Sequence, residues 1–186
     1  MTFIPRPRIG LLRAALSLAF SLALCTLAAC SAGGTGAARG APPVARMGEG
    51  PILLQQVRAA GQLGRELDVQ ALRDPQVEDL RSAATAAEAR GDYAGAQRAL
   101  AKALEISPQD PELLQWQAEM SLVGHDWAHA HALATQSWER GPKLGGLCRR
   151  NWTTIRLAAE ARSDATAAGE AQQRAAACAV APPNRF

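Results

Sequence analysis

Apolar residues beyond Gln76 recur at helical spacing, and the signals that open and close helices sit at matching places. Ala96, Ala99, Leu100, Ala103 and Leu104 fall three and four apart, so on a helix they bury one stripe. Asp74-Pro75 and Asp110-Pro111 each put a capping carboxylate before a first-turn proline, and the helices they open are expected to stop near Gly91 and Gly124. Asp92 and Asp126 then cap the returning helices. Farther on, Ser163-Asp164 reads as a turn between a long helix over Leu147 to Arg162 and a second over Ala165 to Ala177. Upstream, Ile52, Leu53, Leu54, Val57, Leu63, Leu67, Val69 and Leu72 form apolar stripes that would cap the open end of the array, with Gly61 and Gly64 weakening a single continuous helix.

The helical segments repeat at a spacing of 34 residues: Leu80 returns as Leu114, Ala84 as Ala118, Asp92 as Asp126, Tyr93 as Trp127, Ala96 as Ala130, Ala103 as Ser137 and Pro108 as Pro142. Gly91-Asp92-Tyr93, Ala96, Leu100, Ala103 and Pro108 together resemble the tetratricopeptide repeat, in which alanines sit where two helices cross, an aromatic is wedged between them and a proline follows the second helix. His125 replaces the turn glycine in the second copy. The resemblance implies an all-α fold, a short right-handed solenoid of antiparallel helix pairs. Its parts are a capping helix or helices over 51–73, two repeats over 74–144, a degenerate third hairpin over 145–178 and a tail over 179–186. In the third copy Trp152 stands where a small crossing residue belongs, as expected of a terminal repeat with one face in water. Tyr93 and Trp127 are predicted to fill equivalent buried wedges.

A different pattern governs the beginning of the chain. Arg6, Arg8 and Arg13 precede an uncharged apolar run from Ala14 that closes on Leu27-Ala28-Ala29-Cys30. This resembles a bacterial lipoprotein signal over 1–29, with Cys30 lipidated and the mature chain starting there. Arg13 leaves too short a clean core for a comfortable span, which needs roughly 20 apolar residues. Cys25 is a poorer acceptor because bulky Leu24 precedes it. Ser31, in place of an aspartate, implies the outer membrane, with the protein lipid-anchored and facing the periplasm. Residues 30–50, rich in Gly, Ala and Pro, have little to bury and are predicted to be a flexible tether spanning on the order of 25 Å.

Composition changes the picture once the signal is set aside. The whole chain carries 20 Lys and Arg against 17 Asp and Glu, and without the three signal arginines the two signs balance. A neutral mature chain gives no bulk electrostatic case for a nucleic-acid partner. Of the four cysteines, Cys25 leaves with the signal and Cys30 takes lipid, so Cys148 and Cys178 remain as a pair. An oxidising compartment and an antiparallel hairpin that brings both to one end predict a disulfide.

Little else suggests reactive chemistry. His125, His129 and His131 crowd into seven residues, but His129 and His131 are two apart on a helix and point about 200° from each other. They read as surface residues flanking buried Ala130, and no metal is expected. Trp116, Trp127, Trp138 and Trp152 read as wedges between helices. With no nucleophile constellation, phosphate loop or zinc spacing, the chain is read as neither an enzyme nor a cofactor carrier. The resemblance points instead to a periplasmic scaffold for an unidentified protein or peptide, such as an assembly factor of pilus, secretion or cell-wall machinery. The inner faces of the first helices would carry Arg81, Thr85, Glu88, Gln115, Glu119, Leu122, Arg149 and Arg156 to the partner. A self-associating structural envelope protein is the alternative, and a metal-binding protein or enzyme using the histidines a third.

Overall fold

An aspartate that finishes one turn and caps the next helix is the local device on which the fold is built. The computed structural model describes residues 48–63 and 72–179, which contain seven helices. They are α1 (Glu49–Gly61), α2 (Pro75–Ala89), α3 (Tyr93–Ile106), α4 (Pro111–Val123), α5 (Trp127–Arg140), α6 (Gly145–Ala161) and α7 (Ala165–Ala177). The signal, Cys30, most of the tether and the tail, and Leu67 and Val69 lie outside the described residues.

Helices α2 to α7 pack as adjacent pairs, α2 with α3, α4 with α5 and α6 with α7, and each pair leans on the next. The three pairs turn in the same way. Gly91, His125 and Ser163 take positive φ, at 74°, 60° and 60°. Their amides reach back to Glu88, Leu122 and Glu160, and the following aspartate amides reach Ala87, Ser121 and Ala159 at 2.9 to 3.0 Å. This double return satisfies helix-end carbonyls that would otherwise lack partners. The same aspartates then accept amide hydrogens of the next helix, Asp92 from Gly95, Asp126 from His129 and Asp164 from Ala167. The expected Ser163-Asp164 turn is therefore the third copy of the motif, displaced by a longer α6.

Between the pairs, Ala84 and Ala118 in the first helices and Ala96 and Ala130 in the second have no exposed surface. A methyl side chain allows the close helix approach, so the 34-residue echo is a packing constraint. Ser137, in the place of Ala103, is equally buried, and its hydroxyl donates to the Pro111 carbonyl at 2.6 Å. Tyr93 and Trp127 stand at equivalent places, each as the first residue after its capping aspartate, but both are half-buried where buried wedges were expected. As the opening residue of a second helix, each covers the edge of a core cluster from outside.

The third pair is held differently. Trp152 meets Trp138 edge-on at 5.1 Å between centroids, and the Arg174 guanidinium lies 4.7 Å over the Trp152 ring. Cys148 and Cys178 form a disulfide with their α-carbons 5.7 Å apart. The Gly145 amide donates to the Cys178 carbonyl at 2.8 Å, tying the start of α6 to the end of α7.

These turns and braces can be probed by substitution. Ser163→Gly relieves a side chain held in the left-handed region, and should raise unfolding free energy by about 0.5–1 kcal/mol in urea titration. His125→Gly should gain less, because it also removes the edge contact with Trp127, 4.9 Å between centroids. Replacing both Cys148 and Cys178 with serine should cost about 3.5 kcal/mol in the same titration. Thiol labelling of the denatured, unreduced protein should find neither of these two cysteines reactive.

Candidate partner-binding groove

The inner side of the array is made by α2, α4 and α6, and polar side chains from all three converge on it. Sequence reasoning set the α1 segment at the open end of the array, as a cap. The structure instead lays α1 across α4 and α6, with no close backbone approach between α1 and α2. Small residues permit this. A side chain at Gly50 would put its Cβ 2.6 Å from the Val123 carbonyl oxygen, and one at Gly61 would come 2.8 Å from the Arg150 stem. Thus Gly61, which in sequence appears only to weaken a helix, lets the end of α1 sit flat.

The apolar stripe of α1 explains its seat. Leu54 enters the cluster of Val77, Ala84, Leu100, Leu113 and Met120. Val57 is fully buried against Leu122, Ala130, Leu157 and Ala158, with Leu53 alongside. Burying two such side chains is worth about 3–6 kcal/mol.

Electrostatics then fix the register. Arg58 bridges α2 and α4: its guanidinium is 2.8 Å from Glu88 and 3.2 Å from Glu119. Burial by itself would lower the Arg58 pKa, but the hydrogen bond to Glu88 and the nearby Glu119 charge outweigh it and raise it above the ordinary value. Glu119 has no exposed surface and also takes Arg150 of α6 at 2.6 Å and the Gln115 amide at 3.1 Å. Gln115 donates in turn to Thr154 at 2.8 Å. Glu88 accepts a further hydrogen bond from the Trp116 indole. A carboxylate taken out of water is costly unless it is paired and hydrogen-bonded in this way. Arg149 closes the far end, donating to the Ala60 carbonyl at 3.0 Å and toward those of Gly61 and Cys178. In effect it caps the C-terminal carbonyls of α1.

The eight residues expected to face a partner therefore divide. Gln115, Glu119 and Leu122 have no exposed surface and Arg149 has 7%, all four being covered with α1 in place. Glu88 is half-buried beneath Arg58. Thr85 is exposed, and Arg81 is half-buried, paired with Glu78 and Glu112 and set against the Trp116 ring. Arg156 pairs with Glu160 and, with Arg149, borders an open recess of about 700 Å³ that also includes Ala60, Leu63 and Thr153. Sequence reasoning missed Arg58, Arg150 and Gly50. One signal was available: α4 carries apolar residues all round, at Leu113, Leu114, Ala118, Met120 and Leu122, as a helix enclosed on every side does.

The histidines do not converge. His125 meets Trp127 edge-on, His129 lies 3.8 Å from Asp126, and burial followed by the Arg162 charge holds the His131 imidazole below its ordinary pKa. Among the described residues, no group of three or more His, Cys, Asp or Glu is placed to hold a metal. Also among them, no helix is long and apolar enough to cross a membrane.

Adjacent antiparallel helix pairs of this kind are the architecture of a tetratricopeptide-repeat fold. Residues 77–120 match the family model described as "Tetratricopeptide repeat", so the chain carries such a region. Among solved structures, the globular C-terminal domain of P. aeruginosa LpoP is similar, with 27% identity and a TM-score of 0.53. The match covers 56% of this chain and 99% of that one. No curated protein matches the sequence.

Arg58→Met keeps the apolar stem and removes the charge. It should lower unfolding free energy by about 1–3 kcal/mol in urea titration, because Glu88 and Glu119 each lose a charged partner. Thr85→Ala, at an exposed position of the same face, should change it by less than about 0.5 kcal/mol.

Proposed function

We propose that this chain is a lipid-anchored protein of the outer membrane, facing the periplasm, whose helical domain is a non-catalytic scaffold for a protein partner. The observation that carries this reading is the inner groove, which binds a helix: it holds α1 with an apolar seat and a pair of carboxylates. Likeness to the LpoP domain, together with the tetratricopeptide region, supports the envelope setting. Among pilus, secretion and cell-wall machinery it favours the cell wall, so the partner class proposed is a cell-wall synthase, with this chain as its regulator. The anchor is Cys30, and 30–50 gives the domain its reach.

Crosslinking in the native envelope, followed by mass spectrometry of what co-purifies, tests the partner. Recovery of a cell-wall synthase is the expected outcome, and consistent recovery of pilus or secretion components alone would reassign the machine. The anchor has its own test. Cys30→Ser should move the protein from the salt-washed membrane fraction to the soluble one, and a variant that stays with membranes overturns the assignment.

A further inference from the structure

The inner groove is lined by the kind of residues that ordinarily face water. Gln115, Glu119 and Thr154 have no exposed surface, and α1 lies across the two helices that carry them. The groove floor carries a deficit, because the Gln115 side-chain oxygen is fully buried with no hydrogen-bond partner. A buried acceptor without a partner weakens the docked state relative to one in which water or another donor reaches it. Meanwhile the ion pairs from α1 to the two groove carboxylates come from Arg58, which is still about 40% exposed at its outer edge. Arg149 holds the far end of α1 through the Ala60 and Gly61 carbonyls. Glu119 keeps Arg150 and Gln115 without Arg58, and Glu88 keeps Trp116. The groove can therefore lose α1 without leaving either carboxylate wholly unpaired.

We infer that α1 is an exchangeable occupant of this groove, and that the partner it yields to is an amphipathic helix of another protein carrying a basic residue. Such a helix would present two apolar side chains one turn apart, as Leu53 and Val57 are, with an arginine or lysine directly after the second. The apolar pair fills the seat made by Leu122, Leu157 and Ala158, and the cation lies between Glu88 and Glu119. Two inward carboxylates select against an acidic helix, since an uncompensated carboxylate there would meet like charge in a poorly solvated place. While seated, α1 lowers apparent affinity by the fraction of molecules in which the groove is closed. This inference rests on the scaffold reading and names the chemistry and control of its site.

The test uses the purified full chain and a fluorescein-labelled synthetic peptide with the sequence of residues 48–63. Hydrogen exchange on wild-type protein comes first. The amides of α1 should exchange at least tenfold faster than those of the interiors of α4 and α6, and α1 amides that exchange only with global unfolding overturn the proposal. Anisotropy titration follows. Gly50→Ala, which drives a methyl into the Val123 backbone, should bind the peptide at least tenfold tighter than wild type does. Arg58→Ala should do the same, and a peptide with glutamate at the Arg58 position should lose at least tenfold in affinity. Equal binding to wild type and Gly50→Ala, or equal binding of the two peptides, sinks the idea. A wild-type chain that sediments as a dimer, and whose dimer Gly50→Ala disrupts, names a second copy as the occupant and likewise overturns it. Should a cell-wall synthase crosslink equally to wild type and Gly50→Ala while the peptide binds neither, the scaffold reading stands and the groove is removed from it. Tight peptide binding with no synthase recovered does the reverse, upholding the groove as a helix site and removing the synthase as its partner.

Discussion

Glu119 sits in the middle of α4 with no access to water, and most of what distinguishes this fold follows from the need to satisfy it. A buried carboxylate is tolerated only when charge and hydrogen bonds surround it. Here three helices supply them: Arg58 from α1, Arg150 from α6 and Gln115 from α4 itself. In doing so they hold together elements that the local repeat does not connect. The pairs would stack through their crossing alanines in any case, but the charge cluster decides that α1 lies along the inner groove and in which register.

The outer parts of the domain rest on simpler forces. Each helix pair closes through a left-handed residue and an aspartate, and each alanine crossing excludes anything larger than a methyl. In the third pair buried Ala168 keeps the place of Ala96 and Ala130, four residues after its capping aspartate, whereas the first helix carries the bulky, buried Trp152. Trp138 and Arg174 pack against that tryptophan, and the disulfide ties the two helices together at their shared end. Arg149, next to Cys148, joins this braced end to the carbonyls at the end of α1. The groove and the disulfide-linked hairpin are thus one mechanical unit.

The groove also joins stability to recognition. A surface that must accept a helix carries polar residues suited to water when it is empty, and with α1 in place part of that polarity is unmet. A fully apolar floor would hold α1 more firmly and offer no charge pattern to read. The mixture of an apolar seat and two carboxylates suits an occupant that is held but selective.

Much of this was legible from the order of residues alone. Helix boundaries follow from Asp-Pro and the turn aspartates, whose caps are local hydrogen bonds spanning two or three residues. The 34-residue echo follows because equivalent crossings need equivalent volumes, and the pairing of Cys148 with Cys178 because a hairpin returns its ends to one place. Even the third turn, with serine in place of glycine, was readable from the aspartate beside it. The sequence could not say where α1 goes. Its stripe of Leu53, Leu54 and Val57 marks a buried face without naming the surface that buries it, and a cap at the end of the array would have used the same residues. The choice was made by contacts between distant segments: Gly50 against Val123, and Arg58 between Glu88 and Glu119, 30 and 61 residues away. Such contacts leave no periodic trace in the chain, so only the tertiary structure decides that the face expected to meet a partner is already met by the protein itself.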